Sequence, residues 1–263
     1  MALLTISLIQ TALHWEAKDA NLQMLEQKIA SIEQATQVVV LPEMFSTGFS
    51  MRPEQLAEKR DGPTVQWMKR IAADKKIILT GSLIIEEDGA YYNRAIWMQP
   101  NGQYGTYDKR HLFAFAEEEK HYTAGSSRLI VSVNGWKIML CVCYDLRFPV
   151  WARQQFGDDH SFEYDLCIYV ANWPERRSLA WKTLLQARAI ENQCYVVGVN
   201  RVGEDGNGIQ HSGDSSVIDP VGEVLYQQNK VEDLFTITLD KKELETVRQK
   251  FQFWRDADSF QIF

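Results

Sequence analysis

Three residues of this chain could do chemistry together: Glu43 in LPEMF, Lys109 in DKRHLF and Cys143 in CYDLRFP. Each follows an apolar run short enough to be a buried strand, at 38–41, 103–107 and 136–142. Beyond Cys143, Pro149 and the residues Val150-Trp151-Ala152-Arg153 suit the first turn of a helix, because proline there gives up no needed hydrogen bond. A cysteine on a strand-to-helix turn is exposed at the carboxyl edge of a sheet, faces free backbone N–H groups and has its thiolate favoured by the helix amino end. A nucleophile needs that placement. If the three strands share one sheet and run the same way, an acid, a cation and a thiol converge at one edge. Taken singly, each has a plainer reading. A free cysteine is commonly a small buried hydrophobe, and a glutamate or lysine at a strand end is ordinarily solvated.

The elements that must carry these residues can be read from periodicity. Strands are expected at 3–10, 38–41, 77–85, 136–142, 164–171, 194–200, 216–218 and 234–239, and a hairpin at 91–98 and 103–107 about the turn Pro100-Asn101-Gly102. Apolar residues at helical spacing place helices at 21–32, 63–74 and 181–192, with a charged helix at 241–250. In the helix at 181–192, Leu184-Leu185 and Ala189-Ile190 are expected to face inward, while Arg188 and Glu191 are free to form a structural ion pair. The GEDGNG turn at 203–208 is not a dinucleotide fingerprint, and its glycines bind nothing obvious. The aromatic tail, with Phe251, Phe253, Trp254, Phe260 and Phe263, is expected to pack on this subunit or a neighbour.

Composition bounds the function. With 263 residues, 45% of them hydrophobic, and no Pro/Gly/Ser-rich linker or repeat, the chain reads as a single domain over 1–263 with a real core. A net charge of −7 with scattered basic residues argues against nucleic acid or an anionic membrane as a partner. The apolar start MALLTISLIQ has no positive flank or cleavage site and is too short to span a bilayer, so export is not expected. Cys141, Cys143, Cys167 and Cys194 lack metal-ligand or disulfide spacing and suit a reducing cytoplasm. The histidines His14, His111, His121, His160 and His211 show no HExxH, so no metal or cofactor is implied. The segment SGDSS at 212–216 lacks a GxSxG elbow, which sets aside a serine hydrolase.

The three segments LPEMF, DKRHLF and CYDLRFP, in this order and at this wide spacing, resemble the catalytic signatures of the nitrilase superfamily of carbon–nitrogen hydrolases. The likeness continues through Tyr169-Val170-Ala171-Asn172-Trp173 and residues 187–192, and CYD is more similar to the amidases than to true nitrilases, which usually show CWE. Within the superfamily the chain is most similar to the omega-amidase branch, which hydrolyses the terminal amide of 2-oxoglutaramate and related 2-oxo acid amides. The resemblance implies an α/β fold of the four-layer α-β-β-α sandwich type and a homodimer or larger assembly formed through the sandwich faces. It further implies that Glu43 is the general base, that Lys109 and the backbone N–H of Tyr144 hold the oxyanion, and that Cys143 is the nucleophile.

Thiol-dependent amide hydrolysis needs those roles on chemical grounds as well. The resemblance assigns a second acid to Glu118, chosen over Glu117 and Glu119 by its distance from Gly125 in the family-like segment. A 2-oxo acid amide carries a carboxylate remote from the scissile bond, which an arginine fork holds well. Arg177, beside Arg176 in the loop after Asn172-Trp173-Pro174, is the first candidate, with Trp173 part of the same substrate-binding edge. Arg147 is the rival, although it could instead brace Asp145. Two other functions remain open: an amidase or N-carbamoyl hydrolase for another small carboxylate, and a non-catalytic binding protein on the same fold.

Overall fold

Strands buried on both faces read as unbroken apolar runs, and the runs of this chain sort into two sheets. The computed structural model describes residues 2–156 and 161–262, so Met1, His160 and Phe263 of the sequence reading lie outside the described residues. In chain order the first half contains β1 (Leu3–Gln10), α1 (Lys18–Ala30), β2 (Val38–Val40), α2 (Pro53–Leu56), β3 (Glu58–Lys59), α3 (Pro63–Lys75), β4 (Ile78–Glu87), β5 (Ala90–Met98) and β6 (Tyr104–Asp108). The second half contains β7 (Ile130–Val133), β8 (Trp136–Val142), α4 (Pro149–Ala152), β9 (Leu166–Ala171), α5 (Ser178–Asn192), β10 (Tyr195–Asn200), β11 (Val202–Glu204), β12 (Gln210–Ile218), β13 (Val224–Asn229), β14 (Asp233–Asp240) and α6 (Lys241–Lys250). One sheet has the order β14-β1-β2-β4-β5-β6, with β3 on β4. The other runs β11-β12-β10-β9-β8-β7, with β13 on β12.

Alternation within β2 shows how the layers form. Val38 and Val40 join Leu4, Ile6, Leu8, Trp97 and Tyr107 in a core shared with β8, β9 and β10 of the opposite sheet. Val39 and Leu41 point the other way, into a second core with Leu25 and Ile29 of α1 and Val65, Met68 and Ile71 of α3. On the far side, Trp181, Leu185 and Ala189 of α5 and Leu244 of α6 close over the second sheet. Gly198 permits this approach, since a Cβ on it would come within 2.9 Å of Trp181 and closer still to Leu185. The result is a four-layer α-β-β-α sandwich. Trp97, Trp136 and Trp181 are fully buried, and truncating such a residue costs about 3–5 kcal/mol.

The first strand is closed by a late one. β1 pairs antiparallel with β14 along its whole length, from Leu3↔Asp240 to Gln10↔Asp233. Thr5 and Thr238 hydroxyls meet at 2.9 Å across this pair, and Ser7 and Thr236 at 2.8 Å. Helix ends follow their sequence signals: Pro63 opens α3, and the Asp240 side chain caps α6 by accepting from Lys242 N–H at 2.8 Å.

Several expectations need correction. β2 and β6 lie in one sheet but β8 lies in the other, so Cys143 does not share a sheet edge with Glu43 and Lys109. The helix expected from Pro149 is the single turn α4, and Cys143–Arg147 itself forms a 3-10 turn. Ile190 of α5 is 53% exposed rather than inward-facing, because the inner stripe runs through Trp181, Leu185, Arg188 and Ala189. The strand expected at 216–218 is the end of the longer β12, and β13 was not expected because its residues, Val224-Leu225-Tyr226 followed by Gln227-Gln228-Asn229, do not alternate. In the tail, Trp254 packs on this subunit against Phe156 and Phe162, with ring centroids 5.6 and 5.8 Å apart, while Phe253 is exposed.

Candidate active site

Glu43 follows β2 in a turn that β4 pins: Ser82 Oγ accepts from Met44 N–H at 2.8 Å and Ser82 O from Phe45 N–H at 3.2 Å. Lys109 follows β6, which is antiparallel to β5, itself antiparallel to β4, so β2 and β6 run the same way and deliver both side chains to one end of their sheet. Cys143 follows β8 of the facing sheet. The two sheets thus close like a book, with the acid and cation on one page and the thiol on the other. Met44 and Cys143 hold left-handed backbones, φ 43° and 45°, a conformation that costs a non-glycine residue about 1–3 kcal/mol and persists only where the surroundings fix it.

The charged floor is dry. Glu43, Lys109 and Glu118 are each fully buried. Lys109 Nζ donates to Glu43 Oε1 at 3.0 Å and to Glu118 Oε1 and Oε2 at 3.0 and 2.9 Å. Asn93 of β5 links the two acids, donating to Glu43 Oε1 at 2.8 Å and Glu118 Oε1 at 3.3 Å. Glu43 Oε2 accepts from the Asn172 N–H at 2.8 Å, and Glu118 Oε2 from the Phe113 N–H at 2.6 Å. Glu117 and Glu119 are exposed, so only the middle acid of the run reaches the lysine. Gly125 explains the spacing that singled it out: its N–H bonds Lys109 O at 2.9 Å, and a side chain there would strike the Asp108 backbone.

Electrostatics set the resting proton positions. Burial alone would lower the Lys109 pKa, but the carboxylates of Glu118 and Glu43 more than reverse this and keep the ammonium charged. Burial pushes the Glu118 carboxyl up, and the Glu43 charge adds to the rise against the pull of Lys109. Burial also pushes the Cys143 thiol well up, Glu43 adds to it, and Lys109 opposes. The expectation that a helix end favours a resting thiolate therefore fails. A thiolate would add a negative charge beside the acids in this buried cluster. A neutral thiol beside Glu43 is the arrangement that results.

Asp145 ties the thiol turn to the lysine loop. Its Oδ1 accepts from His111 N–H at 3.0 Å and lies 2.8 Å from His111 Nδ1, while Oδ2 accepts from Val142 N–H at 2.9 Å and Tyr107 OH at 2.7 Å. Trp151 Nε1–H donates to the same Tyr107 oxygen at 2.9 Å. Arg147 does not brace Asp145; its guanidinium lies 4.9 Å from the Trp173 ring centroid. Arg188 and Glu191 pair at 2.9 Å, as a structural reading expects, and Arg188 also donates to Leu146 O at 2.6 Å behind the thiol turn.

In front of this charged floor, past Phe49 and Asn172, lies a cavity of about 350 Å³ that reaches Cys143 and is lined as well by Phe113, Tyr144, Arg147, Trp173, Arg176 and Arg177. Arg177 lies 4.9 Å over Phe113 and the exposed Arg176 lies 5.7 Å over Phe115. Burial, then the neighbouring guanidinium of Arg176, eases the Arg177 pKa down. Sequence reasoning missed the part of the lining where Asp205, Asn207, Ile209 and His211 come from the GEDGNG turn and the start of β12. It also missed Asn93, whose signal was an amide beside an arginine inside an otherwise apolar and aromatic strand.

The chain matches the carbon-nitrogen hydrolase family over residues 5–249. It is 43% identical to omega-amidase YafV of Escherichia coli (strain K12) over 99% of both chains. It is 32% identical to 2-oxoglutaramate amidase of Bacillus subtilis (strain 168) over 96% of both. Its structure matches the crystal structure of a CN-hydrolase superfamily protein from Xanthomonas campestris with an arsenic adduct in the active site. That match has a TM-score of 0.97, 41% identity and full coverage of both chains.

Proposed function

The chain belongs to the carbon-nitrogen hydrolase family, and we propose that it is an omega-amidase in which Cys143 opens the terminal amide of a 2-oxo acid amide such as 2-oxoglutaramate. In this reading Sγ attacks the amide carbon while its proton passes to Glu43, and the oxyanion is held by Lys109 Nζ and the Tyr144 N–H. Glu43 returns the proton to the leaving nitrogen, ammonia departs and a thioester remains. Water then attacks the thioester with Glu43 as base, releasing the 2-oxo acid and restoring the thiol. Glu118 holds Lys109 and, with Asn93, orients Glu43. The observation that carries the reading is the buried Glu43–Lys109–Glu118 cluster behind Cys143, Asn172 and Phe49, which line a cavity rimmed by Arg147 and Arg177.

The two guanidiniums give the substrate its direction. Among the described residues neither has a carboxylate partner, and both lie on aromatic rings at the rim, with Arg147 over Trp173. A carboxylate remote from the scissile amide completes them. The names of the curated relatives support this substrate class. We include in the proposal a single domain over 1–263, a cytoplasmic setting, supported by four free cysteines, and a homodimer or larger assembly, supported by exposed Leu179 and Ile190 on α5. No helix among the described residues is long and apolar enough to cross a membrane.

The test is ammonia release across 2-oxoglutaramate, simple aliphatic amides, N-carbamoyl acids and nitriles, with mass spectrometry of the enzyme during turnover. We expect 2-oxoglutaramate to be the preferred substrate and an acyl adduct at Cys143. An adduct at Cys141, Cys167 or Cys194, or no preference for the charged amide, would overturn the assignment.

A further inference from the structure

Part of the cavity lining comes from two loops from different sheets. Residues 44–51 follow Glu43 and supply Phe49 and Met51, and Phe49 also faces Lys109 Nζ, 5.0 Å from its ring centroid. Residues 205–209 join β11 to β12 and supply Asp205, Asn207 and Ile209. The stretch at 13–16, just past β1, lines no part of the cavity, yet it fastens both loops. Glu16 N–H donates to Thr47 O at 2.7 Å, and its carboxylate accepts from Ser50 Oγ at 2.6 Å and Arg52 Nε at 3.0 Å. Leu13 O and Glu204 O both accept from the buried Arg201 guanidinium, at 3.4 and 2.9 Å.

Trp15 closes the arrangement. A Cβ on Gly48 would lie 3.1 Å from its ring, and a Cβ on Gly206, between Asp205 and Asn207, would overlap it. The indole thus spans from one loop to the other, with a glycine backbone against it at each contact. Glu16 beside it holds φ 52°, a left-handed backbone that a glutamate keeps only where its neighbours impose it.

We infer that Trp15 is a specificity-determining positioning residue, which holds the 205–209 loop against the 44–51 loop and so sets how much room is left in the cavity that Arg147 and Arg177 also line. The inference rests on the reading of this cavity as the amide pocket. Trp15 touches no reacting atom, so its loss changes how the substrate is seated rather than the bond-breaking step.

The test compares the parent enzyme with Trp15→Ala, Trp15→Phe, Gly206→Ala and the double variant Trp15→Ala/Gly206→Ala, on 2-oxoglutaramate and its homologue one methylene longer. In Trp15→Ala we expect KM for 2-oxoglutaramate to rise about tenfold, kcat to stay within about twofold and discrimination between the two amides to shrink. Trp15→Phe should recover most of the discrimination. Gly206→Ala should imitate Trp15→Ala, because its methyl group pushes the loop off the indole. The double variant should be no worse than either single one, since both break the same contact. Gly206 is exposed, so its variant carries the test even if Trp15→Ala does not fold. Unchanged KM and discrimination in a folded Gly206→Ala, or equal kcat losses on both amides, would overturn the inference. Failure of the amidase reading looks different: the parent enzyme would then release ammonia from neither amide.

Discussion

In the buried charged floor behind the cavity lining every charge is answered inside the protein: Lys109 by two carboxylates, Glu43 by an amide and a backbone N–H, Glu118 by another backbone N–H. At the rim the guanidiniums of Arg147 and Arg177 rest on aromatic rings and, among the described residues, have no carboxylate partner. The contrast separates two tasks. A group that must meet charge developing in a transition state works best when already fixed and desolvated. A group that must recognise a charged substrate works best when its counter-charge arrives with that substrate.

The sharpest break in this contrast comes at Lys109. If Lys109 holds the oxyanion as proposed, Lys109→Ala removes a donor and turnover should fall by about 10²–10³-fold. The stranded carboxylates should also cost roughly 3–5 kcal/mol in urea unfolding. Glu118→Gln should lose more turnover than Glu117→Gln, whose side chain faces solvent. Near-parent turnover in Lys109→Ala would dissolve the distinction between floor and rim.

His211, on the wall near the rim, offers a second comparison through pH. Burial first, and then the Arg201 guanidinium, holds its pKa down at about 4. The unfolded chain takes a proton there below about pH 6.5, which the folded chain refuses until about pH 4. This contribution to stability is complete above pH 6.5 and is lost as pH falls toward 4, reaching about 3 kcal/mol. Urea unfolding at pH 7.5, 5.5 and 4 should show a steeper acid loss for the parent than for His211→Asn. Parallel losses would place the acid sensitivity elsewhere.

The smallest effect should be the most selective. Arg177→Ala should raise KM for 2-oxoglutaramate about tenfold, or about 1.4 kcal/mol, and hardly change KM for an uncharged aliphatic amide. Equal changes on both substrates would make Arg177 a structural residue and leave Arg147 to hold the carboxylate.

Much of the floor was legible because it sits at strand ends, where an apolar run stops abruptly at a polar residue. Glu43, Lys109 and Cys143 stand out in that way, while Glu118 comes from the family resemblance together with its distance from Gly125, which the structure shows bonded to Lys109 O. Periodicity reports which residues are buried but not in which sheet, so the facing of β8 toward β2 and β6 could not be read. The helix expected after Cys143 shrank to one turn, and no local pattern foretold a thiol turn held by Asp145, His111 and Tyr107. Ile190 sits beside the buried Ala189 on the sequence, but about 100° of helix rotation carries it into solvent. The wall from Asp205 to His211 escaped because a turn rich in glycine, aspartate and asparagine is ordinarily solvated, and only the opposite sheet turns it into a pocket.

The pairing of β1 with β14 has a consequence for synthesis of the chain. The partner of Leu3 is Asp240, so the first sheet stays one strand short until residue 240 has left the ribosome. At about 5–20 residues per second, β1 waits roughly 12–48 s for that partner. During this interval the LLTISLIQ segment exposes an open, β-prone edge of the kind that recruits other chains. β14 is thus what protects β1, and crowded nascent chains should be most prone to aggregate just before residue 240 emerges.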